Sequence, residues 1–204
     1  MDLMQILQSQ LNDNVLGQMS EQIGATPEQT ASAANGIFAS LLGGLANNAS
    51  SEGGFSSLLG ALDRNHDGSV LDDIGGLVGS LLQNGGQGSG ATNGLGILNH
   101  VLGGQQEAVA QQVSQSSGLN MGQVMKLLPV LAPIVMGVLG KMRSQEGFQM
   151  SDLPGLLMGG AQSGAQQSGL GDLLGSVLGG VLGGSPQGGG GLGGLLGNIL
   201  GGKH

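Results

Sequence analysis

Cysteine, tryptophan and tyrosine are absent from this 204-residue chain, and three phenylalanines are its only aromatic residues. Each absence removes a class of chemistry. Without cysteine there is no disulfide framework, no thiolate nucleophile and no thiolate metal site. With so few rings there is little on which to stack a nucleobase, a sugar or a flat cofactor. Cationic charge is scarce as well: five Lys and Arg stand against 13 Asp and Glu, a formal net charge of -8. That balance repels a phosphate backbone, so nucleic acid is not an expected partner.

Targeting signals are missing too. The N-terminal MDLMQILQSQLNDN opens with an acid and has neither the basic region nor the apolar run of a secretory signal. The longest apolar run, Leu127 to Gly140, lies between Lys126 and Lys141, contains Pro129 and Pro133, and is shorter than the ~20 residues a spanning helix needs. A soluble, cytoplasmic protein is the expectation, with export without a cleaved signal left open.

What the chain does have is glycine, 45 residues of it, and apolar residues at helical spacing. Gly118 to Gly140, GLNMGQVMKLLPVLAPIVMGVLG, is its most apolar segment, and Gly24 to Gly44, GATPEQTASAANGIFASLLGG, aligns with it 94 residues earlier. Gly24 pairs with Gly118, Thr26 with Asn120, Gln29 with Gln123, Leu41 with Val135, Leu42 with Met136, Gly43 with Gly137 and Leu45 with Leu139. The flanks agree: MSEQI precedes the first copy as VAQQV precedes the second, and Glu52-Gly-Gly-Phe55 follows the first as Glu146-Gly-Phe148 follows the second. Two divergent copies of one helical unit, packed together as a core, account for this.

Local signals give the elements. Leu3, Ile6, Leu7 and Leu11, then Val15, Met19 and Ile23 after the break at Asn12 to Asn14, predict two short helices. Thr26-Pro27-Glu28-Gln29 predicts a helix start with Thr26 as cap, Pro27 in the first position and Gln29 bonding back. Asn120 and Gln123 take those roles in the second copy. The first long helix is expected to end near Asn47-Asn48, and the second to bend or begin anew at its prolines. Ile74, Leu77, Val78, Leu81 and Leu82 predict another helix. The division that follows is 1–82 for the first repeat with its Asp-rich loop, 83–93 (QNGGQGSGATN) for a flexible linker, 94–153 for the second repeat and 154–204 for a Gly/Leu-rich tail.

One constellation carries site chemistry. Asp63, Asn65, Asp67, Gly68 and Ser69 match the opening of a calcium loop, in which alternate oxygen ligands turn inward on a hard cation. Ile74 stands where the bidentate twelfth ligand belongs, so Asp72 and Asp73 could close the shell only through a distorted loop. The competing reading is an Asn-His-Asp-Gly turn in which Asp72 or Asp73 caps the next helix. His66, His100 and His204 are scattered, no Gly-x-Ser-x-Gly elbow occurs, and no glycine run is followed by Lys-Ser or Lys-Thr. The expectation is a protein that is not an enzyme and requires no cofactor, with calcium as the one candidate ion.

The tail has a different grammar. Leu170, Leu173, Leu174, Val177, Leu178, Val181 and Leu182 form one helical stripe, while Gly171, Gly175, Gly179 and Gly183 recur every fourth residue. After Ser185-Pro186-Gln187 the design returns with Leu192, Leu195, Leu196, Ile199 and Leu200. Interior glycine costs a helix ~1 kcal/mol relative to Ala, so packing has to supply the difference. Rows of glycine let backbones approach closely, and with Asp172 the one charge between Pro154 and Lys203 little keeps copies apart. Self-association is the first expectation, a Gly-rich segment that condenses on its own core or stays disordered the second, and a membrane-surface helix the third, since its polar face lacks Lys and Arg.

The succession MDLMQIL, SEQIGATPEQT, LLGALDRNHDGSVLDDIGGLVG, LLPVLAPIVMGVLGK and a Leu-Gly tail resembles the bacterial family catalogued as domain of unknown function 937, the YidB-like proteins. The likeness covers the chain up to the tail. It implies an all-helical bacterial protein with an internally repeated core, and it brings no activity or catalytic residues with it.

The expected fold is therefore all-α: a bundle built from two helical repeats with a C-terminal Gly/Leu helical hairpin. The expected function is structural, a self-associating protein whose partner is itself in a homo-oligomer or filament. The alternatives are a calcium-responsive binding module on the Asp63–Asp73 loop, and a membrane-surface or secreted effector acting through the tail.

Overall fold

A computed structural model describes residues 3–50, 53, 71–87, 93–143 and 152–168. Among the described residues there are eight α-helices and no strand. α1 (Leu3–Gln10) and α2 (Asp13–Ile23) are divided by Asn12, whose side chain accepts from the Val15 amide at 3.0 Å and caps α2. α3 (Pro27–Ala49) starts in the expected capping box: Thr26 Oγ1 accepts from the Gln29 amide and Gln29 Oε1 accepts from the Thr26 amide, each at 3.3 Å. Then follow α4 (Ile74–Gln83), α5 (Gly94–Leu102), α6 (Gln106–Ser117), α7 (Met121–Arg143) and α8 (Leu153–Ser168). All eight lie within one compact unit.

The repeat seen in the alignment is a repeat of structure. α3 and α7 each have 23 residues, and the second begins and ends 94 positions after the first. α2 and α6 end at matching positions, Ile23 and Ser117, each followed by a left-handed glycine, Gly24 at φ 70° and Gly118 at φ 75°. α1 and α5 also correspond, with Met4 and Leu7 buried where Leu98 and Val101 are buried. The two long helices form the centre, and α1, α2, α5 and α6 each pack against both of them. The flanking helices are exchanged: α4, which follows the first copy, packs on α7, and α8, which follows the second, packs on α3.

From Leu127 to Gly140, α7 is apolar on every side because every side is covered. All residues from Leu127 to Gly140 are buried, as a helix without a polar face requires. α7 does not begin anew at the prolines, since one helix runs through Pro129 and Pro133. Pro133 has no N–H to give the carbonyl one turn earlier, that of Pro129. Gly94, the first residue of α5, fills that gap with its backbone. A Cβ on Gly94 would overlap the Pro129 oxygen, so the Cα–H in its place points at the orphaned carbonyl.

Two details differ from expectation. α3 ends near Asn47-Asn48 as expected, at Ala49, but its cap is Ser50, and the Asn48 amide serves another helix: it donates to His100 O at 3.3 Å and Val101 O at 3.0 Å near the end of α5. Gly44, one turn before, makes this approach possible, since a Cβ there would lie 2.8 Å from Val101 O. The stretch from 154 onward is likewise not all tail. Leu153, Leu157, Ala161 and Ala165 of α8 are buried in the core, a four-residue stripe that the Gly-rich composition conceals. Within the 83–93 connection, Gly86 is buried at φ 79° with its Cα against Pro129, and Gly86 O accepts from the Leu95 amide at 3.4 Å.

Candidate functional site

Of the six residues singled out for calcium, Asp63, Asn65, Asp67 and Ser69 lie outside the described residues. Asp72 is exposed in the turn before α4. Asp73 is the cap of α4: its Oδ1 accepts from the Gly76 amide at 2.9 Å. Gly76 is matched to that cap, because a Cβ would lie 2.9 Å from Asp73 Cγ. One of the two carboxylates proposed to close a metal shell is therefore committed to a helix end. Among the described residues no three His, Cys, Asp or Glu side chains converge on a point that could hold a metal ion.

The residues expected to carry self-association, Leu170, Gly171, Leu173, Leu174, Gly175, Val177, Leu178, Gly179, Val181, Leu182, Gly183, Leu192, Leu195, Leu196, Ile199 and Leu200, also lie outside the described residues. α8, which precedes them, displays the packing their pattern implies. Gly160 and Gly164 are four apart on the face that meets α3 and α1. A Cβ on Gly160 would lie 2.8 Å from Leu42 Cδ1, and one on Gly164 would collide with Met4 Cε and come within 2.9 Å of Ala39 Cβ. Small residues at this spacing are what let α8 seat itself on the central helix.

The junction of the two halves is polar and reciprocal. Gln29 Nε2 donates to Gly118 O at 3.3 Å; Gln123 Nε2 donates to Ile23 O at 2.9 Å and Gly24 O at 3.2 Å. Each glutamine caps its own helix through Oε1 and binds the end of the other half's shorter helix through Nε2. The capping role was readable from spacing. The crosswise bonds were not, although the matched phrases Gly24-x-Thr26-x-x-Gln29 and Gly118-x-Asn120-x-x-Gln123 contain every group involved except the Ile23 carbonyl.

Two features complete the surface. Glu28, fully exposed in the first turn of α3, has its carboxyl held below the ordinary glutamate range by its own backbone amide and by the Thr26 hydroxyl. Met121 and Met125, at the start of α7, are the large apolar side chains left exposed among the described residues, at 41% and 37%. α7 itself is long and apolar enough to cross a membrane, but 78% of its most apolar window is buried inside the bundle.

These observations define an all-α bundle with an internal two-copy core. The chain belongs to the family described as bacterial protein of unknown function (DUF937), which it matches over residues 5–142, from α1 almost to the end of α7. No curated protein and no solved structure matches it.

Proposed function

We propose that the protein is a structural, non-enzymatic scaffold that assembles with copies of itself through the Gly/Leu segment after α8. The observation that carries this reading is the seating of Gly160 and Gly164 on α3, where a helix with glycine every fourth residue finds its stability in close packing. The following segment repeats that spacing at Gly171, Gly175, Gly179 and Gly183, and adds a leucine stripe of its own. The apolar area of such a stripe contributes about 25 cal/mol per Å² once it is covered. A second copy supplies the same surface, and a head-to-tail contact between copies would propagate as a filament.

The test is sedimentation velocity on the full chain and on a chain ending at Ser168, with negative-stain microscopy of both. The cut keeps α8, whose buried Leu153 and Leu157 belong to the core. Oligomers or fibres from the full chain and a monodisperse truncated chain are expected. A full chain that sediments as a 20.1 kDa monomer at every concentration would sink the reading.

A further inference from the structure

The chain meets oxidants with an unusual inventory: it has no cysteine, tryptophan or tyrosine, so its nine methionines are its oxidisable sulfur. Among the described residues the fold grades them by exposure, with Met158 of α8 half-buried between the two extremes. Met4 and Met19 are fully buried, and Met136 and Met142 are 3% and 8% exposed. Met121 and Met125 stand apart at 41% and 37%. They are one helical turn apart in the first turns of α7 and so share a face. The matching positions of the first copy are Pro27 and Ala31, which carry no sulfur. Gln123, between them, turns elsewhere to cap α7 and to hold Ile23 and Gly24. Neither thioether is a member of the core cluster.

From this we infer that Met121 and Met125 are a paired oxidation site for peroxide-class oxidants, able to change state without unfolding the bundle. In each step a sulfur lone pair attacks one oxygen of hydrogen peroxide and the O–O bond breaks. That oxygen stays on sulfur as the sulfoxide, and the other leaves as water. Sulfur is oxidised by two electrons and the peroxide is reduced by two. The product replaces an apolar side chain by a polar, chiral one, so the exposed apolar pair becomes a polar pair. A methionine sulfoxide reductase reverses the change. This inference is independent of self-association, since it needs only the folded unit.

The experiment is graded hydrogen peroxide on the full-length protein, followed by peptide mapping with mass spectrometry and by far-ultraviolet circular dichroism. Met121 and Met125 should each gain one oxygen at least ~10-fold faster than Met4, Met19 and Met136, with the helical signal unchanged. Addition of a sulfoxide reductase should remove both oxygens. In the Met121→Leu/Met125→Leu variant the buried methionines should keep their slow rates. Oxidation of Met121 and Met125 no faster than that of Met19 and Met136, or a helical signal that falls in step with it, would overturn the inference.

Discussion

Gln29 and Gln123 clasp each other's halves of the chain: Gln29 Nε2 donates to Gly118 O at 3.3 Å, and Gln123 Nε2 donates to Gly24 O at 3.2 Å. The glycines are themselves a matched pair, each ending its helix in the left-handed conformation. A short helix that ends in such a turn exposes carbonyls, and the third residue of the other half's long helix is placed to satisfy them. The fold therefore behaves as an internal pair of like units with a self-complementary contact, held in one chain.

That contact can be isolated by replacing glutamine with glutamate. A glutamate in the third position keeps the acceptor of the capping box but loses the Nε2 donor that crosses to the other half. Gln123→Glu should therefore cost about 1–2 kcal/mol, because its crosswise bond of 2.9 Å to Ile23 O is part-buried. Gln29→Glu should cost less, since its crosswise bond is longer and exposed. Denaturant unfolding of the two variants measures the difference. A Gln123→Glu variant as stable as the parent would mean that the clasp contributes nothing to the union of the halves.

Gly94 and Gly17 should respond in opposite directions to alanine. A Cβ on Gly94 would strike the Pro129 carbonyl, which sits in the buried backbone of α7 and cannot step aside. Gly94→Ala should cost about 3 kcal/mol or more. Gly17 lies in the interior of α2 with nothing within 4 Å of its would-be Cβ, so Gly17→Ala should stabilise by ~1 kcal/mol, a rise of about 2–4 °C in Tm. Thermal melts of the two proteins decide it. Equal shifts would show that Gly94 and Pro129 are not in the contact described.

Much of this arrangement was legible in the residues, and the parts that were not have a common cause. Caps are local, so Thr26 with Gln29 and Asn120 with Gln123 could be read from spacing alone, as could the repeat that places α3 and α7 at one offset. The end of α3 is legible to within a residue or two, but the role of Asn48 is not, because nothing local reveals that α5 approaches Gly44 and takes up the Asn48 amide. A helix that begins anew at the prolines of α7 is a fair local reading, because Gly94, which meets the Pro129 carbonyl, lies 35 residues before Pro129 in sequence and touches it only in the fold. α8 was absorbed into the tail because Leu157, Gly160, Ala161 and Gly164 look like low complexity until α3 is placed against them. For the calcium loop, Asp73 follows the competing reading as a helix cap, while Asp63 to Ser69 lie outside the described residues.

The acid limb of stability should carry a small contribution from Glu28. Its carboxyl titrates below the ordinary range because its own backbone amide, and then the Thr26 hydroxyl, stabilise the ionised form. A depressed folded value means that the contribution is present above the unfolded pKa and is lost as pH falls through the folded one. Exposure to solvent keeps the effect small. Carboxyl titration by NMR should find Glu28 below the ordinary glutamate range, and Thr26→Ala should move it partway back, since the larger cause is the backbone amide. A titration unmoved by Thr26→Ala would remove the hydroxyl from the account.

Glycines 159 and 164 of α8 offer the sharpest link between this packing and assembly. Gly159 has nothing within 4 Å of its would-be Cβ, whereas Gly164 abuts Met4 and Ala39. Gly159→Ala should raise stability by ~1 kcal/mol through helix propensity alone. Gly164→Ala should lower it by about 1–3 kcal/mol, because the helix must lift from α3 to admit a methyl group. If the glycines of the segment after α8 work in the same way between copies, Gly175→Leu and Gly179→Leu should leave the melting of the bundle unchanged and abolish the faster-sedimenting species. Loss of assembly without loss of stability would tie the glycine spacing to contact between chains. Assembly that survives both substitutions would assign it to the leucine stripe alone.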